Sequence, residues 1–249
     1  MEALLTHVLR DADRALVLAQ RLLQQITHAP EIEEDMALAN LALDLIGQAR
    51  VLYTYAGEIE GLGHDEDHFA HWRAPEEFLH PRLVEQPNTD FAHVIVRQYL
   101  HDAYALLYWQ AMVDSVDATL AALAAKSQKE TAYHVRHSRG WVLRLGDGTD
   151  ESHRRMQVAL DRLLPFSGDM FRYGRDEEQL VADDVTPHPI ELVNQWFPLV
   201  QGTFVEATLA VHQEGVVVVG GPDPGHADDF VDLITEMQGL ARAHPGATW

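Results

Sequence analysis

The stretch PEIEEDMALANLALDLIGQAR, residues 30–50, decides the fold. Pro30 has its φ preset for a first helical turn and needs no amide partner there. Glu31, Glu33, Glu34 and Asp35 place negative charge at the positive end of the helix dipole. From Met36 to Ile46 the residues are apolar nearly all round, which predicts a helix buried on most sides. Asn40 and Asp44 interrupt that run four residues apart, so they share one face. The helix is expected to continue to about Ala56 and to stop before Gly57.

Outward from this segment the period stays helical. A preceding helix is predicted over about Glu2–Thr27, with Leu5, Val8, Leu9, Ala12, Leu16, Ala19 and Leu23 on one face. A glycine- and acid-rich connection, Gly61 to Asp67, leads to a short helix or irregular segment around Phe69–Leu79. Asn88, Thr89 and Asp90 offer N-caps to a long helix over Phe91 to about Val113. Further helices are expected over about Asp117–Leu145 and Asp150–Leu164. Another opens at Pro187 and Pro189, kinks near Pro198 and runs to about Val211; a last one spans about Ala227–Ala243. Gly215 to Gly225 is the one strand-like or looped segment. Long helices without a βαβ alternation read as an all-α bundle with additional flanking helices. No linker divides the chain, so residues 1–249 are expected to form a single domain.

Composition excludes whole classes of function. Cysteine is absent, which removes disulfides, thiolate metal sites and iron–sulfur ligation. A net charge of −21, from 39 acidic against 18 basic residues, argues against a nucleic-acid or anionic-membrane role. It leaves a less acidic protein as the natural partner. No apolar run approaches the roughly 20 residues of a membrane helix. The N-terminus lacks the pattern of an export signal, so a cytoplasmic location is expected. Ten of the 18 basic residues lie between Lys126 and Arg175, and 16 of the 18 are arginine. Arg136, Arg139, Arg144, Arg154 and Arg155 are therefore candidates for the polar part of a partner interface. The bland alternative is a solvated helix face.

Metal chemistry here would have to use carboxylate and imidazole. Diiron carboxylate bundles take one acid from each of two helices and Glu-x-x-His from two others, because i and i+3 side chains share a face. The chain offers Asp44, Gln98-x-x-His101, Glu130 and Glu206-x-x-Leu209 in that order. Gln98 is neutral where a bridging carboxylate belongs, and Leu209 cannot bind a metal. For each residue singly, a satisfied polar group of the core is the more economical reading. Together they read as the remains of a site. His134 and His137 lie one turn apart but have no spaced third ligand for zinc. Tyr99, Tyr104, Tyr108 and Trp109 read as packing.

The segments HAPE (28–31), ALANLALDLIGQAR (37–50), VEQPN (84–88), RQY with DA after it (97–103), KETAYHVRHSRGW (129–141), RLGDGT (144–149), EATL (206–209) and EMQGLARAHPGATW (236–249) together resemble one family. It is the C subunits of bacterial phenylacetyl-CoA epoxidases, the ring 1,2-monooxygenases of aerobic phenylacetate degradation. Order and spacing agree over nearly the whole chain. The resemblance implies a ferritin-like helical bundle and a non-catalytic structural role, with no cofactor in this chain. It also implies pairing with a catalytic A subunit that carries the diiron centre. The full complex would add an iron–sulfur flavoprotein reductase and a small B subunit. His101 departs from the family's pattern. Two alternatives stand beside the scaffold: an autonomous diiron oxygenase or oxidase, and a metal-free module whose arginines meet the phosphates of an acyl-CoA.

Overall fold

The computed structural model describes residues 2–172, 177–212 and 225–247. Among the described residues ten α-helices follow one another: α1 Glu2–Leu23, α2 Ile32–Glu60, α3 Glu66–His71, α4 Arg82–Glu85, α5 Phe91–Met112, α6 Ala118–Gly146, α7 Asp150–Leu163, α8 Glu178–Ala182, α9 Pro189–Glu206 and α10 Asp228–Ala243. Two 3₁₀ turns, Pro75–Glu77 and Leu164–Phe171, join them, and no strand occurs among the described residues. The chain is all-α, consistent with a ferritin-like bundle. None of these helices is long and apolar enough to cross a membrane. The contacts gather the helices into two compact units, Met1–Pro87 with Pro222–Trp249, and Asn88–Gly221. The expected strand-like segment lies largely outside the described residues.

In the first unit α1 and α2 form a helical hairpin. Val8, Ala12, Leu16 and Ala19 of α1 are buried, as are Leu38, Leu41, Leu45, Ala49 and Leu52 of α2. Their connection turns at Thr27, whose φ is 75°. Asp35 Oδ1 closes it, accepting from the Thr27 amide at 2.9 Å and the Ala29 amide at 3.2 Å. The acid expected to serve the helix dipole thus also ties the turn. Helix α2 is not buried on most sides, contrary to the expectation for Met36–Ile46. Met36 is 63% and Leu43 is 62% exposed, Asn40 is exposed, and Asp44 is only half-buried. Nor does α2 stop before Gly57. It runs on to Glu60 and is capped by Gly61, where φ is +71°. Gly57 is required for packing instead: a Cβ there would lie 2.2 Å from the carbonyl oxygen of His64.

A buried ionic knot ties this unit together. The carboxylate of Asp13 on α1 pairs with the Arg73 guanidinium that follows α3. It also accepts from the Tyr53 hydroxyl of α2 at 2.5 Å and from the Leu79 amide at 2.8 Å. The Arg73 side chain further donates to the carbonyls of Phe69 and Glu77 and lies over the Phe78 ring at 4.2 Å. The backbone carbonyl of Arg73 receives Gln238 and Arg242 of α10 at 3.0 and 2.8 Å. Burial and the Asp13 carboxylate push the Tyr53 hydroxyl well above its ordinary value.

In the second unit α5 is the helix enclosed on nearly every side, with only Phe91, Leu106, Leu107, Gln110 and Ala111 short of full burial. It packs against α6, α7 and α9. Its N-cap is Asp90, whose side chain accepts from the His93 amide at 2.8 Å. Asp117 caps α6 and Thr149 caps α7 in the same manner. Tyr99, Tyr104, Tyr108 and Trp109 are all buried, as a packing role requires. Helix α9 begins with Pro189 and passes through Pro198 without interruption. It ends at Glu206, short of the expected Val211, because Thr208 takes a φ of 63°.

Candidate functional site

The polar core of the second unit is built where α5 faces α6. Gln98 and Asp102 lie one turn apart on α5, and both are fully buried. Gln98 Nε2 donates to Asp102 Oδ1 at 2.7 Å, and Ser138 Oγ of α6 donates to Asp102 Oδ2 at 2.9 Å. His101 Nδ1 lies 3.3 Å from the same Oδ1. Asp102 is therefore the buried carboxylate of this core. The ligand pattern in the sequence points to Glu130 instead, although a signal for Asp102 is present: an acid inside the apolar run of α5, four residues after Gln98. Gln98 Oε1 is buried without a hydrogen-bond partner.

The remaining expected positions do not complete a ligand set. Glu130 is half-buried and pairs with Lys126 one turn away at 3.0 Å, an ordinary helix-surface ion pair. Glu206 closes α9 with a largely exposed side chain and pairs with Arg139 of α6. Leu209 is buried but lies past the end of α9, so Glu206 and Leu209 do not share a helical face. Asp44 belongs to the first unit, on α2. A carboxylate-bridged diiron centre needs several acids facing one another. This chain presents an amide, a leucine and an arginine-paired glutamate at three of those positions. The residues do not fit such a centre.

Three of the five candidate interface arginines already hold carboxylates of this chain. Arg139 holds Glu206, while Arg154 and Arg155 both bind Glu151 at 2.9 and 2.7 Å. Hydrogen bonds from these two arginines draw the exposed Glu151 carboxyl down to about 2. Arg136 and Arg144 lie over the rings of Tyr133 and Trp141, each at 5.4 Å. The more open feature is apolar. Ile32, Met36, Leu43 and Val51 are exposed along α2, with Asn40 and Gly47 between them at helical spacing. Such a stripe on a helix whose opposite side is packed has the character of a partner surface.

Known proteins resemble the chain over its whole length. The family described as phenylacetic acid catabolic protein matches residues 1–249. The C subunit of 1,2-phenylacetyl-CoA epoxidase from Escherichia coli (strain K12) is 42% identical over 249 residues, covering 100% of both chains.

Proposed function

The chain belongs to the phenylacetic acid catabolic protein family, and we propose that within it the chain is the structural C subunit of a phenylacetyl-CoA epoxidase. In this reading it performs no oxygen chemistry itself and supports the catalytic, diiron-carrying A subunit. The observation that carries the proposal is the 42% identity to a known C subunit over the full length of both chains. The side chains agree with it. Gln98 spends its amide on Asp102, Glu206 is paired with Arg139, and Leu209 offers no ligand atom.

The stripe Ile32, Met36, Leu43 and Val51 is the surface assigned to the A subunit. Apolar side chains at that spacing can enter the grooves of a partner helix. Three of the five candidate arginines are already engaged with carboxylates of the second unit. Co-expression with the A subunit followed by size-exclusion chromatography tests the pairing. Co-elution is expected, with Met36→Asp combined with Leu43→Asp dissolving the complex while the chain stays helical. Separate elution of the wild-type proteins at micromolar concentration would overturn the proposal. So would two irons per isolated chain after anaerobic loading with ferrous iron.

A further inference from the structure

We propose that His80, Glu85 and His226 bind a single divalent ion of the zinc type, which ties the approach to α10 onto α4 and the segment before it. Among the described residues these three bring their ligand atoms within 4.8 Å of one another. All three belong to the first unit. Glu85 Oε2 is the shared centre, 3.0 Å from His80 Nε2 and 2.8 Å from His226 Nδ1. The other carboxylate oxygen, Oε1, is held apart by the Ala227 amide at 3.1 Å.

The hydrogen-bond arithmetic at His226 points to a cation. Its Nε2 lies 2.8 Å from the carbonyl oxygen of Phe78, which can only accept, so Nε2 carries a proton. A neutral His226 then turns the lone pair of Nδ1 toward a carboxylate oxygen at 2.8 Å. Two lone pairs at that distance repel unless a positive charge lies between them. An extra proton or a metal ion would supply it. Metal-binding imidazoles usually donate their second N–H to a carboxylate or backbone carbonyl, and His226 has that contact in place. His80 Nε2 faces the carboxylate and donates to it in the metal-free state; a metal there would move the proton to Nδ1, which no second contact ties to the other tautomer.

The surroundings favour the ion. His80 and Glu85 are 3% and 1% exposed. The two imidazoles stack at 4.3 Å, and the Phe230 ring lies 4.3 and 4.6 Å from them. Two imidazoles and a carboxylate suit zinc, with water as a fourth ligand. Zinc–ligand bonds of about 2.0–2.2 Å separate tetrahedral donors by about 3.3–3.5 Å, so the two donor pairs through Glu85 Oε2 open by about half an ångström and the stacked imidazoles, 12° apart in plane, turn so that their lone pairs converge. Unlike the degenerate positions around Gln98, this set has chemically competent donors.

The test is metal binding by the full-length chain. After chelator treatment and dialysis, zinc is titrated by calorimetry and the retained metal is counted by elemental analysis. One zinc per chain is expected, with a rise in melting temperature. Cobalt should give the intense visible bands of a tetrahedral site. His226→Ala and His80→Ala should each weaken binding by at least roughly tenfold. His68→Ala, which removes an imidazole stacked on His64 elsewhere in the same unit, should leave it unchanged. Absence of stoichiometric zinc in the wild-type chain would overturn the proposal. Equal zinc affinity in His226→Ala would do so as well, whether or not the His80 variant folds.

Discussion

Replacing Asp13 by alanine is predicted to be among the most damaging single changes available to the first unit. Asp13 is completely buried, and its two oxygens serve the Arg73 guanidinium, the Tyr53 hydroxyl and the Leu79 amide. Removing one member of a buried ion pair typically costs about 3–5 kcal/mol, because the surviving charge stays buried. Each stranded neutral donor adds about 1–3 kcal/mol when nothing replaces its acceptor. These costs overlap. Arg73 keeps the carbonyls of Phe69 and Glu77, and water can enter the space vacated by the carboxylate. A loss of about 4–6 kcal/mol is therefore expected, against a total stability on the order of 5–15 kcal/mol. Urea unfolding followed by far-ultraviolet circular dichroism measures it. The decisive comparison is Asp13→Leu with Arg73→Met. Removing both charges should cost about 2 kcal/mol or more below the sum of the single variants, since neither ion is then stranded. A cost under about 1 kcal/mol for Asp13→Ala, or strict additivity in the pair, would refute the reasoning.

Acid should destabilise the second unit partly through His93. Burial first, then the nearby Arg97 and Arg162, outweigh Asp90 and bring the imidazole from 6.5 down to about 4. The unfolded chain takes up this proton near pH 6.5 and the folded chain only near pH 4. Stability is thus full above pH 6.5 and falls as pH drops toward 4, by about 1–2 kcal/mol after allowance for solvent screening; His93→Leu should flatten that part of a denaturation-versus-pH curve. Gly57→Ala is expected to cost about 1–3 kcal/mol by overpacking, seen as a lower melting temperature, because the new methyl meets the His64 backbone and not a flexible side chain.

Helix order and the caps at Asp90, Asp117 and Thr149 are readable in the sequence because they rest on local chemistry: period, capping oxygen, proline and glycine. The exposure of α2 is not. An all-round apolar helix reads alike whether its far side meets its own chain or is left open, and only the packing of Met36 and Leu43 separates the two cases. Gly57 looks like a helix stop, yet its meaning lies in a contact with His64 across a turn that no local pattern encodes. Gln98 and Leu209 are legible by their chemistry alone, since an amide and an aliphatic side chain offer no carboxylate or imidazole. The cluster of His80, Glu85 and His226 is hidden for a different reason: 141 positions separate Glu85 from His226, and neither sits in a periodic motif.

That same separation has a consequence for the order in which the protein can be made. The first unit is assembled from both ends of the chain, with residues 88–221 inserted between them. At about 5–20 residues per second, a ribosome needs on the order of ten seconds to travel from Glu85 to His226. Throughout that interval the α1–α2 hairpin has emerged, but the Arg73 carbonyl lacks Gln238 and Arg242, and Glu85 lacks His226. The inserted segment is contiguous and meets no such delay. The nascent unit therefore waits with these buried groups unmatched, and the segment from His226 through α10 is the latch that closes it.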